Sequence, residues 1–468
     1  MAEAERFDKK YANRSMVLFA AFTIIVLYIE TMLIPSLPSI AAEYHINAAE
    51  SSLLVSLYLV AGVALSPIVG KLGDIYGKKR VLKYIMPVYV ASIGVTGFAP
   101  NFTFILISRT IQGIGLTIFP LMISLIQEEF PRDMVPRALS IIVAMFGVGS
   151  AIGLPLGSFV SNSFGWQFCY HTAFPFVIIV AALILYYTRE SRYRRPDVKV
   201  DYVGALLLAV SLSLIVLALS EGSTYGWVSP AILSMLVVGT LILVPFAFYE
   251  RRVSEPIFNS KLMGTKNVLI ANIITFLSGL IYFFSYQAFS YLFESASPLG
   301  FGYNIFQTGM ALVPFAVVNA VAAPLLGRYI PRIGVKPFFV SGALLAVIGF
   351  FAASLITGSA MEIVGEIVGG LGVALVTIPT INLLVLSIES REMGIATSMN
   401  SVFRFLGSAL GAPVAGLLIA TYASRIAFTY SFYLAMACMV AVLVVSMYSE
   451  EILGKSKRIE KVEEQVSI

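Results

Sequence analysis

Long apolar segments, separated by short polar ones, run through nearly all of this 468-residue chain and leave few folds open to it. A helix needs roughly 17–25 predominantly apolar residues to cross the hydrocarbon core of a bilayer. Fourteen segments meet that length: 16–35, 53–70, 82–98, 102–126, 137–160, 166–187, 203–220, 231–249, 267–293, 305–326, 338–357, 361–386, 394–420 and 428–447. They lack the alternation of barrel strands. Because backbone groups in lipid must be satisfied within a segment, the sequence predicts an all-α polytopic membrane protein with fourteen transmembrane helices.

Charge supports this class and predicts an orientation. Only 12% of the residues are charged and 58% are hydrophobic, whereas a soluble domain carries about 25% charged residues. Most Lys and Arg residues precede span 1 or follow even-numbered spans, with Arg425 as the exception. Positive charge accumulates on the cytoplasmic side of membrane proteins. We therefore expect both termini in the cytoplasm, a multi-pass location in the plasma membrane and bilayer lipid as a partner. The net charge of +5 is explained by topology and predicts no nucleic-acid binding.

The residues typical of catalytic and metal sites are scarce. The chain has two histidines, and Cys169 and Cys438 are its only cysteines. Two cysteines are too few for a disulfide framework or a zinc site. The sequence also contains no G-x-x-x-x-G-K-[ST] loop, which an ATP-driven pump would need to hold nucleotide phosphates. We expect no enzyme activity, no metal and no cofactor.

Three motifs recur at a nearly constant spacing. "GKLGDIYGKKR" at 70–80 has a weaker copy, "GRYIPRIGVKP", 257 residues later. "QGIG" at 112–115 matches "GGLG" at the same spacing, and "GSAIGLPLGSFV" at 149–160 matches "GSALGAPVAGLL" 258 residues later. Such a repeat predicts two six-helix bundles in parallel orientation, one known plan for transporters.

The repeat leaves two spans over and so divides the chain. We expect an N-terminal six-helix bundle at 1–195 and a C-terminal one at 261–450. Two inserted transmembrane helices with linkers occupy 196–260, and 451–468 is a cytoplasmic tail.

These motifs resemble those of the major facilitator superfamily, specifically its fourteen-span drug:proton antiporter branch. The first follows the pattern G-x-L-x-D-r-x-G-r-k-r at Gly70, Leu72, Asp74, Gly77, Lys78, Lys79 and Arg80. "RTIQGIG" follows R-x-x-Q-G-x-G at Arg109, Gln112, Gly113 and Gly115. The resemblance covers essentially the whole chain apart from the tails. It implies the major facilitator fold and a monomeric secondary active transporter, with a small molecule and protons as partners and a proton gradient as the driving force.

A third motif bears on the direction of transport. It resembles the antiporter pattern G-x-x-x-G-P-x-x-G-G at Gly149, Gly153 and Gly157, but its proline is displaced to Pro155 and its last glycine is Ser158. It favours export of lipophilic, often cationic, compounds. Ordinary helix packing by small residues explains the glycines equally well. A proton-coupled symporter for a metabolite or organic anion is therefore the alternative.

The acid in the first span is the candidate proton carrier. Glu30 lies within an apolar helix, where a carboxylate costs roughly 2.5–3.5 kcal/mol and tends to face a partner or water. At 1.5 Å per residue, Glu30, Arg109 and Glu366 fall at similar depth in the outer half of the membrane. We expect Glu30 to carry the proton, Arg109 to modulate its proton affinity, and Glu366 to contribute from the position that matches Arg109. The alternative is a permanent Glu30–Arg109 ion pair that only joins helices.

Polar and aromatic side chains near mid-membrane predict the wall of a substrate cavity between the halves. The expected lining residues are Tyr58, Gln112, Tyr286, Gln287, Thr377 and Arg404. Arg404 is expected to bind an anionic group or to pair with an acid across the cavity.

The loop between spans 2 and 3 is the predicted gate. Its expected residues are Gly70, Gly73, Asp74, Gly77 and Arg80. The superfamily resemblance implies that this loop clasps the second half when the inside is closed. Asp74 would then meet the N-terminus of span 13, near Met393, because a helix N-terminus favours negative charge.

Overall fold

The computed structural model describes residues 9–131, 133–191, 194, 199–253, 256–388, 393–422 and 424–450, and the predicted tail at 451–468 lies outside them. Helices make up almost all of this part. Their bounds are α1 Lys9–Thr31, α2 Leu37–Glu43, α3 Ala48–Ser51, α4 Leu53–Tyr76, α5 Lys78–Thr96, α6 Phe102–Gln112, α7 Ile118–Glu129, α8 Val135–Phe164, α9 Gln167–Tyr187, α10 Tyr202–Tyr225, α11 Pro230–Glu250, α12 Ser260–Met263, α13 Lys266–Glu294, α14 Ile305–Ile333, α15 Lys336–Ser354, α16 Ser359–Ser387, α17 Met393–Tyr422 and α18 Arg425–Met447.

Fourteen helical segments correspond to the fourteen predicted spans. Thirteen segments of the described chain are long and apolar enough to cross a membrane. The remaining one is α5, whose first six residues include four Lys or Arg and lower its mean hydropathy. From Val81 onward α5 is apolar. The predicted all-α, fourteen-span membrane fold is confirmed.

The two halves repeat each other helix by helix. The first helix of the N-terminal half, α1, begins at Lys9, and α13 begins 257 residues later at Lys266. The last, α9, begins at Gln167, and α18 begins 258 residues later at Arg425. This agreement confirms the two parallel six-helix bundles. The boundaries expected at residues 195, 260 and 450 stay predictions.

Two spans are interrupted where the sequence suggested single helices. In span 1, Leu33 separates α1 from a 3-10 turn at Ile34–Ser36, and α2 follows. A proline lacks the N–H needed to continue a helical ladder, and both the turn and α2 have one in their first two positions. In span 4, a 3-10 segment at Gly113–Thr117 joins α6 to α7. That break falls within the R-x-x-Q-G-x-G motif.

The halves meet through helix pairs that cross the interface, chiefly α8 with α14 and α4 with α17. Small residues allow close approach, since a Cβ at Gly147 would touch Ala320 and one at Gly416 would touch Ala48. Polar bonds add to this contact at one end. The Ser290 hydroxyl donates to the Ile34 carbonyl at 2.9 Å.

The inserted helices lie against this assembly unequally. α10 contacts both halves, through α4 and α17, whereas α11 packs on α10. The Ser211 hydroxyl of α10 donates to the Gly239 carbonyl of α11 at 2.6 Å, and both residues are buried. The rest of α11 is largely exposed, as expected for a lipid-facing helix; Leu241 is 58% exposed.

Candidate transport site

The glycine motif of span 5 forms a groove that holds the helix carrying Glu30. A Cβ added at Gly149 would touch Leu27, one at Gly153 would touch Thr31, and one at Gly157 would touch Met32. The spacing of four residues keeps the three glycines on one face of α8, so that α1 approaches its backbone directly. Pro155 lies inside the same helix.

The second half uses the same arrangement. Gly407 and Gly411 of α17 approach the α13 backbone at Phe276 and Leu280. Each half therefore packs its first helix into a small-residue groove on its fifth helix. Small-residue packing explains these contacts, and the direction of transport stays a prediction.

Glu30 is buried at this junction, with 6% of its surface exposed. Two arginines act on its charge: Arg404 of α17 contributes more and Arg109 of α6 contributes less. Within the described residues, no ion pair of 4 Å or less joins Glu30 to either guanidinium. A direct Glu30–Arg109 pair is therefore absent from this conformation. Glu30 instead lies between two positive charges that belong to different halves.

Arg109 is held by other partners. Its guanidinium donates to the Leu54 carbonyl at 3.0 Å, and to the Ile29 carbonyl and the Gln112 Oε1 atom at 3.2 Å each. It also lies over the Tyr58 ring, 4.7 Å from the centroid. Only 1% of Arg109 is exposed. The bond to Ile29 places Arg109 at the level of Glu30, as the depth estimate predicted.

The rest of the R-x-x-Q-G-x-G motif serves the same packing. The Gln112 side chain donates to the Thr96 hydroxyl at 2.7 Å and to the Ser92 carbonyl at 3.3 Å, and it is fully buried. A Cβ at Gly113 would meet the Tyr58 carbonyl, and one at Gly115 would meet the Tyr89 ring. Gln112 thus links Arg109 to α5, and its expected contact with substrate stays a prediction.

Tyrosines surround the arginine. The hydroxyls of Tyr58, Tyr89 and Tyr170 are buried and have no hydrogen-bond partner in the described part of the molecule. All three lie within electrostatic range of Arg109. Of these, sequence reasoning selected only Tyr58. The other two sit in α5 and α9, where neither motif nor periodicity distinguishes them from core aromatics.

Arg404 reaches across the interface between the halves. Its guanidinium lies 5.2 Å from the centroid of the Phe146 ring on α8 and 4.6 Å from that of Phe405. Cation–π contacts of this kind contribute about 0.5–2 kcal/mol, more where water is excluded. Tyr282 of α13 lies within electrostatic range of both Arg404 and Glu30. Phe146 and Tyr282 were absent from the predicted site.

An aromatic cluster adjoins this centre. The Tyr282 and Tyr286 hydroxyls are 3.1 Å apart and share a hydrogen bond. The Phe315 ring of α14 lies 5.4 Å from the Tyr282 ring and 5.1 Å from the Tyr286 ring. Tyr286 was an expected lining residue and does lie beside the charged centre.

Two other expected lining residues have different surroundings. The Gln287 amide donates to the Ala48 carbonyl at 3.1 Å, so this side chain ties α13 to the other half. The Thr377 hydroxyl donates to the Val373 carbonyl at 2.8 Å within its own helix. Substrate contact at both residues stays a prediction.

Glu366 forms a separate buried acid site with Glu362, one turn earlier on α16. They are 1% and 0% exposed, and none of their four carboxyl oxygens has a hydrogen-bond partner among the described residues. The Arg425 charge acts on Glu362, and Glu366 lies within electrostatic range of Tyr286. An unpaired buried carboxylate is costly, so these side chains favour a neutral form.

The glycines of the predicted gate differ in their contacts. A Cβ at Gly73 would touch Leu121 of α7, which is the close helix approach that the spacing suggested. Gly77 has a φ of +103°, a conformation that favours glycine, and makes the turn from α4 into α5. A Cβ at Gly70 would meet nothing within 4 Å.

Asp74 forms an ion pair inside its own half. Its carboxylate is 3.0 Å from the Lys78 ammonium, which also lies 2.7 Å from Glu128 of α7. Lys78 is 1% exposed, so this three-residue cluster is partly shielded from solvent. The expected partner of Asp74, the start of α17, adjoins residues 389–392, which lie outside the described residues. The clasp stays a prediction.

The acid found at a helix N-terminus here is Glu190, which sequence reasoning missed. Its carboxylate accepts from the backbone N–H groups of Lys79 and Arg80, at 3.0 Å each. It also fills the space that a Cβ at Gly77 would need. Glu190 follows α9, and no local pattern indicated that it would cap a helix 110 residues earlier. The Arg80 side chain is exposed.

Comparison with known proteins identifies the family. The family model of the Major Facilitator Superfamily matches residues 19–295 and 271–466. Multidrug resistance protein 3 of Bacillus subtilis is 28% identical over 372 residues, covering 77% of this chain and 70% of that protein. Multidrug resistance protein Stp of Mycobacterium tuberculosis is 26% identical over 424 residues, covering 88% and 77%. An uncharacterised MFS-type transporter of Mycobacterium tuberculosis is 27% identical over 411 residues, which cover 85% of this chain but only 58% of the length of that protein.

Solved structures agree in fold. A bacterial homologue of the human lysosomal transporter Spinster has a TM-score of 0.70 at 13% identity, with 94% of this chain and 98% of that one covered. The human organic anion transporter MFSD10 has a TM-score of 0.65 at 17% identity, with 93% and 99% covered. At these identities the likeness concerns the fold alone. The duplicated bundle, the motifs and the family match together show that this chain belongs to the Major Facilitator Superfamily, whose members are membrane transporters and not enzymes.

Proposed function

We propose that this protein is a drug:proton antiporter of the fourteen-span branch, which exports lipophilic, often cationic, compounds by alternating access. It would work as a monomer in the plasma membrane, with both termini in the cytoplasm and the proton gradient as its only energy source. Two relatives named as multidrug resistance proteins support this class of substrate. The alternative of a symporter for a metabolite or organic anion is not favoured by these relatives.

The observation that carries the proposal is the position of Glu30. The side chain is buried in the groove-packed helix α1, lies between the charges of Arg109 and Arg404, and has no direct ion pair with either. A carboxylate in such a place must be neutralised or solvated, because an uncompensated charge in the membrane is expensive. A proton can neutralise it, and so can a cationic substrate. Competition between the two is sufficient to couple their movements.

The two arginines have different parts in this proposal. Arg109 belongs to the same half as Glu30 and bonds to the backbone beside it, so a rigid-body movement of the halves leaves their separation nearly unchanged. Arg404 belongs to the other half, on α17. Rocking of one half against the other changes the Glu30–Arg404 separation and with it the proton affinity of the carboxyl group. Arg109 then sets a constant background, and Arg404 makes the affinity depend on conformation.

The surroundings of Glu30 suit a lipophilic cargo. Small-molecule pockets are mostly apolar with a few polar anchors. Here the rings of Tyr282, Tyr286 and Phe315 lie on one side of the charged centre, and Phe146 lies beside Arg404. Aromatic faces also attract cations. A flat or cationic compound would therefore find both stacking partners and one carboxylate.

Transport by purified protein in liposomes tests the proposal. A proton gradient should drive accumulation of a lipophilic cation such as tetraphenylphosphonium by the wild type and by Glu221→Gln, which removes an acid from the inserted helix α10. Glu30→Gln should abolish gradient-driven accumulation while retaining counterflow of the labelled cation. Undiminished accumulation by Glu30→Gln would refute the assignment.

A further inference from the structure

We propose that the cavity between the start of α1 and the end of α9 binds a phosphate-bearing anion, supplied by the headgroup of an anionic phospholipid. The cavity has a volume of about 190 Å³ and is lined by Lys10, Tyr11, Arg14, Tyr187 and Arg189. Three of these five side chains are cationic. Drug-sized ligands occupy pockets of about 300–1,000 Å³, so this cavity suits a headgroup better than a transported compound.

Its position matches the level of lipid headgroups. Arg14 lies two residues before the apolar run that begins at Met16, and Arg189 lies two residues after α9 ends at Tyr187. Tyr186 and Tyr187 are 77% and 43% exposed. Exposed tyrosines at the ends of spanning helices are typical of the boundary between hydrocarbon and water. The cavity is thus within reach of a lipid lying beside the protein.

The cations are arranged by the aromatic side chains. The Arg189 guanidinium lies over the Tyr11 ring at 4.5 Å, and that of Arg14 lies over the Tyr187 ring at 5.9 Å. The Arg189 backbone N–H donates to the Tyr11 hydroxyl at 3.1 Å, which fixes the end of α9 to the start of α1. Stacking leaves the guanidinium edge available, and arginine binds phosphate oxygens through two parallel hydrogen bonds.

The local charge favours an anion even though one acid lies close by. Glu129, at the end of α7, is within electrostatic range of Tyr11. Three cationic residues face it from the cavity wall. Basic pockets between transmembrane helices on the cytoplasmic side are suited to anionic headgroups. A headgroup bound there would hold α1, which carries Glu30, against α9 and so connect lipid composition to the transport helix.

Lipid binding by the full-length protein in nanodiscs tests this inference. Native mass spectrometry would count phosphatidylglycerol adducts on wild type, on Arg14→Gln/Arg189→Gln, and on Arg251→Gln/Arg252→Gln. The last variant removes the same charge from exposed positions just after α11. Each arginine near an anionic surface contributes about fivefold in affinity. The first variant should therefore bind about 25-fold more weakly, and the control should resemble the wild type.

Two further measurements keep the result interpretable. Thermal unfolding in phosphatidylcholine nanodiscs should give similar midpoints for all three proteins, and the single variant Arg14→Gln, about fivefold weaker, replaces the double variant if the latter is unstable. Inorganic phosphate, added in place of anionic lipid, should not raise the unfolding midpoint of the wild type. A phosphate effect equal to that of the lipid would contradict the headgroup as the source. Equal adduct formation by wild type and the double variant would overturn the site itself.

Discussion

Glu30 and Arg404 lie on helices from opposite halves of the molecule, and Arg404 is the charge that acts most strongly on Glu30. This relationship makes the interface between the halves an electrostatic one at its centre. A movement that separates the halves changes the environment of the carboxyl group without any rearrangement inside either bundle. Long-range coupling by discrete packed elements is the mechanism expected of such proteins.

Arg404→Gln should reduce gradient-driven transport about tenfold, which corresponds to the loss of about 1.4 kcal/mol of interaction. The reason is that Glu30 would lose the charge that distinguishes one conformation from the other. Arg404→Lys keeps the charge and should retain most of the activity. Initial rates of lipophilic cation transport in liposomes measure both variants. If Arg404→Gln transports like the wild type, the conformational role of this residue is wrong.

Gly153→Val should lower both stability and transport. A side chain at this position meets Thr31 and the Tyr28 backbone, so α1 must move out of its groove. Overpacking of this kind costs about 1–3 kcal/mol. Ile152→Val is the matched control, since Ile152 is 40% exposed on the opposite face of α8.

The midpoint of thermal unfolding in detergent, with transport by the surviving fraction, checks the groove. A Gly153→Val protein with the wild-type midpoint would show that α1 does not depend on it.

Glu190→Ala should destabilise the protein by about 0.5–2 kcal/mol, the usual range for loss of a helix N-cap. The substitution leaves the backbone N–H groups of Lys79 and Arg80 without their acceptor. Asp133→Asn provides the contrast, because its ion pair with Lys9 is exposed on both sides and such pairs contribute little. Chemical denaturation curves of the two variants should differ accordingly. Equal free energies of unfolding would argue against the cap.

The fold could be predicted from the sequence in considerable detail, because the length of an apolar run and the spacing of a repeat are local or periodic signals. The depth of Arg109 followed from a residue count and agrees with its bond to the Ile29 carbonyl. The break at Gly113–Thr117 and the cap by Glu190 were missed. Both depend on contacts between helices far apart in sequence. Phe146 and Tyr282 could not be distinguished from the many other aromatics in apolar segments.

Asp74→Asn should shift the resting conformation and leave substrate affinity less affected. The substitution removes one of the two acids that flank the buried Lys78, and it also removes the charge proposed to meet α17. Labelling of single engineered cysteines on each face of the membrane reports which side is open. Identical labelling before and after the change would exclude a clasp at this position.

Counting the protons released when a substrate binds addresses the exchange at Glu30 most directly. Purified protein in weakly buffered detergent solution, titrated with tetraphenylphosphonium and followed with a pH indicator, gives the number released for each cation bound. The account predicts that wild type releases close to one proton and that Glu30→Gln binds the cation without releasing any. Equal proton release by the two proteins would show that the exchanging group lies elsewhere.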